Sequence, residues 1–327
     1  MKKLGAALAM TAVLALTACG GGSPSGGEEA AASPGASGNL TPVTVGVIPI
    51  VDVAPIYLGV QEGIFEKHGL DVELTPAQGG AAIVPAITSG QMDFGFSNVT
   101  SLIIARSKGL PLQILASGSS STGDQDADFA AVMVKPESGI KEIADLAGKS
   151  IAVNTLNNIS DSTISAAVQE AGGDAASIDY VEMPFPDMRA ALEQDNVDAI
   201  AAVEPFVTMA KGDGAIPVFS NYAHPVDDLT VAVYFTSDQI AQQKSGETEA
   251  YTAAMKESQA FADANPDKIR GILPTYTQLD PAIIEQLTLP KFAQEVNADS
   301  LEAIADISLK DGLIDEKPDM AALLPQQ

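Results

Sequence analysis

The chain has 327 residues and a formal net charge of -26, because 43 acidic residues outnumber 17 basic ones. This charge argues against a nucleic-acid-binding protein, whose affinity comes from Lys and Arg on phosphates, and against an electrostatic hold on a membrane surface. The single cysteine excludes an intrachain disulfide.

The first residues have the layout of a secretory signal peptide, which we assign to residues 1–18. Two lysines precede an apolar run, residues 4–16, that is too short to span a bilayer. The Leu-Thr-Ala-Cys sequence that ends at Cys19 resembles the lipobox of bacterial lipoproteins. This resemblance implies lipidation of Cys19 and an extracytoplasmic protein, in the periplasm or at the cell surface, anchored to the cell membrane by lipid. The alternative is an ordinary cleaved signal with a chance cysteine.

Residues 19–39 consist mainly of Gly, Ser, Ala, Pro and Glu and contain no large apolar side chain. Such a segment cannot bury enough surface to order itself, so we predict a disordered tether. A folded body then begins near Leu40.

The body starts with strand and helix patterns that alternate along the chain. β-Branched or alternating runs predict four strands, and apolar periodicity bounded by Gly and Pro predicts helices between them. This order indicates a parallel sheet with helices on both faces. The predicted strands are Val43–Ile48, Leu70–Leu74, Met92–Phe96 and Leu112–Ala116; the helices are Ala54–Gln61, one that ends at Thr88, and Val99–Ser107.

The same pattern restarts and then gives way to helices. We predict an α/β fold of two lobes with doubly wound sheets: residues 40–129 in the first lobe, 130–230 in the second, and 231–327 returning to the first with C-terminal helices. Ligands of such sheets bind beyond the carboxyl ends of the strands, so the two lobes would share one cleft. The later predicted strands are Ala130–Val134, Ile151–Val153, Ile178–Glu182, Ala199–Val203 and Leu229–Phe235.

Six stretches, in order and at matching spacing, resemble the binding proteins for aliphatic sulfonates, taurine, nitrate and thiamine-pyrimidine precursors. They are Ala54–Gly59, Glu62–Phe65, Gly69–Leu74, Ile87–Phe94, Lys141–Val153 and Asp198–Phe206. The resemblance implies the two-lobe type II periplasmic-binding fold. It also implies a small-molecule ligand, delivery to the permease subunits of an ABC importer, and lobe closure as the mechanism.

Two other functions remain open. The same fold hosts an enzyme that makes the thiamine pyrimidine, but that family carries a cysteine-rich motif and histidines in its active site. Here Cys19 belongs to the anchor, and His68 and His224 are predicted to lie in a surface turn and a loop. The third function is that of a lipoprotein adhesin, which would show no ligand-dependent closure.

The loops at the predicted strand ends supply the candidate ligand-binding residues. Glycine lets the backbone approach a ligand closely, and a helix that starts there favours an anion. Pro85 weakens this interpretation, because it would fall within the helix unless the helix begins near Ala82. In the second lobe, Ser160 or Asp161 would cap a helix and leave two asparagines for the ligand. The candidates are Asp52, Gln78, Gly79, Gly80, Ser97, Asn98, Asn157, Asn158 and Phe185.

Two charged residues have alternative interpretations. Glu204 follows an apolar strand and needs a donor, either a ligand amine or a salt bridge at the lobe surface. Arg189 lies in the first turn of a helix, which indicates either a cleft residue or a surface residue. With Glu204 and only three arginines in the chain, we favour an amine-bearing or neutral ligand over nitrate.

No cofactor and no metal are predicted. Asp124, Asp126 and Asp128 alternate like the start of a calcium loop, but Phe129 replaces the required Gly and Lys135 replaces the required Glu. We therefore expect the three aspartates to keep an exposed segment between the lobes solvated.

Overall fold

The computed structural model describes residues 40–325. The signal peptide, the tether and Cys19 lie outside the described residues, so their assignments remain predictions. Within the described part of the chain, no helix is both long enough and apolar enough to cross a bilayer.

Within residues 40–325, ten strands form two separate five-stranded sheets. They are β1 (Thr41–Val47), β2 (Leu70–Pro76), β3 (Phe94–Asn98), β4 (Leu112–Ser120), β5 (Ala130–Val134), β6 (Ser150–Val153), β7 (Asp179–Glu182), β8 (Ala199–Val203), β9 (Ile216–Phe219) and β10 (Thr230–Ser237). The first sheet has the order β2-β1-β3-β10-β4, and the second has the order β7-β6-β8-β5-β9.

The helices that cover these sheets alternate with the strands up to β8 and then dominate the C-terminal part. They are α1 (Ala54–Gln61), α2 (Ile64–Lys67), α3 (Gly80–Thr88), α4 (Val99–Ser107), α5 (Ile159–Glu170), α6 (Phe185–Glu193), α7 (Phe206–Gly212), α8 (Asp238–Gln243), α9 (Ser245–Ala264), α10 (Pro266–Ile272), α11 (Pro281–Ile284), α12 (Ala298–Lys310) and α13 (Met320–Leu323). The doubly wound α/β prediction is confirmed.

The predicted parallel pairing is present between β1 and its neighbours β2 and β3 and between β6 and its neighbours β7 and β8, but each sheet also contains one reversed strand. β10 runs antiparallel to β3 and β4, and β5 runs antiparallel to β8 and β9. Both reversed strands are reached by a segment that crosses from the other sheet, so they run against their neighbours.

β9 was not predicted. It has four residues, lies at a sheet edge and contains Pro217, a residue that edge strands tolerate because one side of the strand needs no ladder donor. Only Phe219 of this strand is buried, so the strand lacks the alternating apolar pattern that marks the others.

Two segments cross between the sheets, residues 121–129 and 220–229, and they are hydrogen-bonded to each other. The Gln125 side chain donates to the Ser220 carbonyl and accepts from the Ser220 amide, both at 3.1 Å. The expectation that Asp128 is an exposed, solvating acid is wrong: it is buried, and it accepts from the hydroxyls of Ser121 and Ser220 at 3.0 and 2.8 Å.

The C-terminal helices extend the core of the first sheet. Ala262, Ile269, Leu273 and Leu287 form one buried cluster with Val51 and other residues at the start of α1. This packing places the loop after α11 beside the carboxyl end of β1, where the ligand was predicted to bind.

Candidate functional site

The carboxyl ends of the two sheets face each other and nearly touch at Gly79. A Cβ atom at this glycine would lie 2.8 Å from Cγ2 of Thr155, which belongs to the loop after β6. A Cβ atom on the neighbouring Gly80 would lie 2.0 Å from Oγ of Ser97. Neither glycine therefore has room for a side chain, as predicted for a close approach of the backbone. The groups that the two glycines approach, however, belong to the protein and not to a ligand.

An inner cavity of about 30 Å³ lies between the sheets, which is room for about two water molecules. Its walls come from both sheets and from the segment that returns to the first sheet. The lining residues are Ile48, Ile50, Asp52, Phe96, Asn98, Asn154, Ile159, Phe185, Val203, Tyr222, Val231 and Ala232.

Asp52 is the charged residue of this wall. It lies in a short 3₁₀ turn, residues 51–53, directly before α1, and only 2% of its surface is exposed. The Ser119 hydroxyl donates to Oδ2 at 2.6 Å, whereas Oδ1 has no hydrogen-bond partner among the described residues. Burial raises the pKa of Asp52 to about 7, and the Ser119 hydrogen bond opposes part of this rise.

The ionisable groups that interact electrostatically with Asp52 are an acid and three phenols. Asp128 adds to the rise in the pKa of Asp52. Burial, and to a smaller extent the Asp52 carboxylate, raise the pKa values of Tyr222, Tyr234 and Tyr276. No protein cation is among the groups that shift the pKa of Asp52.

A wider outer cavity of about 330 Å³ adjoins the inner one and shares Ile48, Ile50 and Phe185 with it. Its wall is mostly apolar, and Phe185 is stacked on Phe206 with ring centroids 5.7 Å apart. Such a combination, an apolar wall with a few placed polar groups, is typical of small-molecule sites. The lining residues are Ile48, Pro49, Ile50, Pro76, Ala77, Gln78, Pro184, Phe185, Pro186 and Phe206.

The prediction that Asn158 is free for a ligand is wrong. Asn158 is fully buried and is itself the N-cap of α5: its Oδ1 accepts from the Ser160 amide, and its Nδ2 donates to Asn154 and Thr155. Asp161 completes the capping box by accepting from the Asn158 amide. Burial raises the pKa of Asp161 to about 6.

The other two asparagines of the predicted site differ from each other. Asn98 lines the inner cavity, but its side chain caps α4 by accepting from the Ser101 amide and donating to the Ser101 hydroxyl. Asn157 is exposed and has a φ of 54°, a left-handed conformation that Asn tolerates better than most residues. The side chain of Asn98 is therefore occupied by Ser101, and Asn157 does not line the inner cavity.

The donors that the Glu204 carboxylate needs come from the protein itself, which corrects both earlier interpretations. Glu204 is 1% exposed. Its carboxylate accepts from the Thr208 amide at 3.0 Å, the Thr208 hydroxyl at 2.7 Å and the Thr288 amide at 3.1 Å. Its backbone carbonyl accepts from the Val51 amide at 3.3 Å. Burial raises the pKa of Glu204, and these hydrogen bonds limit the rise.

Arg189 lies on a different surface. Its guanidinium pairs with Asp213 at 2.5–2.6 Å, in a depression of about 270 Å³ that also includes Lys135 and Glu193. None of the residues that line this depression lines the two cleft cavities. The structure therefore favours the surface interpretation.

Neither histidine lines the cleft cavities. His68 contacts Glu257 at 3.0 Å, and His224 contacts Glu170 at 3.4 Å. Within residues 40–325, no group of three or more His, Cys, Asp or Glu side chains is arranged to hold a metal ion.

Sequence reasoning missed Tyr222 and Phe206 as cleft residues. Tyr222 lies in the returning segment, where no strand end marks a ligand site, and its hydroxyl contacts that of Ser160 at 2.9 Å. Phe206 lies three residues after the end of the apolar strand β8, and that position was the available signal.

Comparison with known proteins gives one family and one fold. Residues 50–269 match the family model described as NMT1/THI5 like. The chain is 24% identical to the taurine-binding periplasmic protein of Escherichia coli (strain K12), over 69% of this chain and 68% of that one. It is 22% identical to the formylaminopyrimidine-binding protein of Halalkalibacterium halodurans, over 67% and 65%. The structure of the periplasmic aliphatic sulphonate binding protein SsuA from Escherichia coli matches with a TM-score of 0.69 at 20% identity, over 86% of this chain and 96% of that one.

Proposed function

The chain belongs to the NMT1/THI5-like family, and on that premise we propose that it is an extracytoplasmic solute-binding protein that delivers a small organic molecule to an ABC importer. Two relatives of the chain are named as taurine-binding and formylaminopyrimidine-binding proteins. The observation that carries the proposal is the cleft between the two sheets, where Asp52, which has one buried and unpaired carboxylate oxygen, lines an inner cavity that adjoins an apolar outer one.

The proposed mechanism is closure of two lobes, residues 40–129 with 231–327 against residues 130–230, on a solute between them. Glu204 supports this mechanism, because it joins the end of β8 to Val51 and Thr288 on the other side of the cleft. Solute drives closure only if it binds the closed form more tightly than the open one. The importer's permease subunits would then recognise the closed form.

The proposed location depends on Cys19. Lipidation at this residue and the tether of residues 19–39 would hold the folded body near the importer. A Cys19→Ala variant is expected to lose acylation and membrane retention, which metabolic labelling with a fatty-acid analogue and cell fractionation measure. Equal labelling and retention in the variant would contradict the anchor.

A binding function fits the cleft better than catalysis. Of the cavity-lining residues, none is Cys or His, and Asp52 alone is acidic. Asp52, with a pKa raised to about 7, could act as an acid–base group, but neither cavity adds the Cys or His side chains that the pyrimidine-forming enzymes carry in their active site.

The test is a thermal-shift screen of the purified protein with taurine, alkanesulfonates, nitrate and aminopyrimidines, followed by two measurements on any solute that binds. Small-angle X-ray scattering is expected to show a smaller radius of gyration with solute, and mass spectrometry is expected to recover the solute unchanged. Conversion of the solute would indicate the enzyme. Failure of every class to bind would favour the adhesin.

A further inference from the structure

We infer that the solute carries a protonated or hydrogen-bond-donating nitrogen that binds Oδ1 of Asp52, on a flat apolar body that lies against Phe185. This inference rests on the proposed solute-binding function and narrows its ligand class. It excludes nitrate and simple alkanesulfonates, which have no nitrogen donor.

The two oxygens of the Asp52 carboxylate differ in their hydrogen bonding. Ser119 satisfies Oδ2, but Oδ1 is buried and unpaired among the described residues. A buried, unpaired acceptor costs free energy until a donor reaches it, and a buried carboxylate is stabilised most by a cation. Asp52 lines the cavity between the sheets, so a solute can supply that donor.

The walls of the two cavities carry no basic side chain: none of the residues that line them is Lys, Arg or His. The ionisable side chains among them are Asp52 and the phenol of Tyr222, and both line the inner cavity. An anionic solute deep in this cleft would meet Asp52 without a compensating cation. A cationic nitrogen would instead form a charge-assisted hydrogen bond in a site of low dielectric constant.

Most other polar side chains of the inner wall have partners within the protein. The Tyr222 hydroxyl contacts Ser160, the Asn98 amide contacts Ser101, and Oδ1 of Asn154 accepts from Asn158, while Nδ2 of Asn154 makes no hydrogen bond among the described residues. Among the side chains that line the inner cavity, Asp52 therefore supplies the acceptor that lacks a partner.

The shape and lining of the outer cavity indicate that the apolar part of the solute is a flat ring. Phe185 and Phe206 are stacked within 12° of parallel, and prolines at positions 49, 76, 184 and 186 complete an apolar wall. Aromatic faces and proline rings favour a planar partner, and a cavity of about 330 Å³ accommodates a single ring with small substituents. Aryl amidines and amino-substituted heteroaromatic rings have both required features.

The test compares three probes that share one ring: benzamidine, benzyl alcohol and benzenesulfonate. Each is titrated by ligand-observed NMR into the wild-type protein, Asp52→Asn and Asp93→Asn. Asp93 is the matched control, because it is also a buried aspartate of the first sheet, but it precedes β3 and pairs with Lys244 at the opposite end of the sheet from the cleft.

We expect benzamidine to bind most tightly, benzyl alcohol weakly and benzenesulfonate not at all. Asp52→Asn is expected to weaken benzamidine binding ten- to a hundredfold, while Asp93→Asn leaves it unchanged. Binding of benzenesulfonate, nitrate or taurine with equal affinity in the wild type and Asp52→Asn would overturn the inference and leave the solute-binding role intact. Failure of all these probes and of the screened solutes to bind would overturn both.

Discussion

Ser119 donates its hydroxyl to Oδ2 of Asp52 at 2.6 Å, and this hydrogen bond joins the end of β4 to the turn after β1. It lowers the pKa of a carboxyl group that burial raises to about 7, so Asp52 changes charge near neutral pH. The affinity for a cationic solute should therefore depend on pH.

Benzamidine binding is predicted to weaken roughly thirtyfold from pH 8 to pH 5.5, because only about 3% of Asp52 is ionised 1.5 pH units below its pKa. The amidinium keeps its own charge over this range. Ser119→Ala should move the midpoint to higher pH, since it removes a hydrogen bond that favours the carboxylate. Affinity measured by titration at several pH values checks this; a flat profile, or the same midpoint in Ser119→Ala, would contradict it.

Asp52→Asn is predicted to stabilise the protein at pH 8. The pKa of Asp52 is higher in the folded protein than its ordinary value of 3.8, so the folded state binds more protons and loses stability as the pH rises from about 4 to about 7. A rise to about 7 corresponds to about 4 kcal/mol once the group is ionised. The unpaired amide of Asn costs about 1–3 kcal/mol of this gain.

The expected net gain in the free energy of unfolding is therefore about 1–3 kcal/mol at pH 8. It should shrink by about 2–3 kcal/mol at pH 5, where Asp52 is mostly protonated in the folded protein. Urea denaturation of both proteins at the two pH values measures it. A variant that is less stable than the wild type at pH 8 would show that Asp52 is not an unpaired buried carboxylate.

Glu204→Gln is predicted to weaken solute binding through closure. The variant places an NH2 group where the carboxylate accepts from Thr208 or Thr288, so at least one of three hydrogen bonds is lost, at a cost of about 1.5–3 kcal/mol. With the NH2 group at the Oε1 position, it donates to the Thr208 hydroxyl and opposes the Thr288 amide, so the bond across the cleft is lost and the radius of gyration of the solute-bound protein should rise. Thr208→Val is the matched control, because it removes only a hydrogen bond within the second sheet's own loop and helix. Equal scattering curves for wild type and Glu204→Gln with solute would contradict the role in closure.

Gly79→Ala is predicted to hinder closure, because the new Cβ would lie 2.8 Å from Cγ2 of Thr155 on the opposite side of the cleft. Opening relieves this contact, so the melting temperature should change little while solute affinity falls. Thr155→Ser removes Cγ2 and keeps the hydroxyl that accepts from Asn158, so the double variant should regain affinity. If Thr155→Ser restores nothing, the contact between these two residues does not form in the closed protein.

The sequence predicts the strands and most helices because β-branched runs and apolar periodicity are local signals. It fails at β9, where an edge strand with Pro217 buries only one side chain. It also fails at Asn158, because a polar residue between a strand and a helix serves equally well as a cap or as a ligand contact, and the pattern is the same for both.

In the candidate site, too, the features that depend on neighbouring residues could be predicted, and those that depend on distant residues could not. Asp52 could be placed in the cleft because it follows a predicted strand. Only one of the two residues that donate to Glu204 could be predicted from the sequence. Thr208 is four residues away, whereas Thr288 is 84 positions away. Whether Glu204 bonds to a solute or to the protein depends on how the C-terminal segment packs, and local sequence patterns do not predict that packing.

The most direct test of the whole account is a crystal structure of the protein with a solute from the thermal-shift screen. We predict that the solute lies between the two sheets, with a nitrogen about 2.7–3.0 Å from Oδ1 of Asp52 and its ring against Phe185. A solute bound in the depression around Arg189 and Asp213, with the cleft closed and Asp52 uncontacted, would contradict the account.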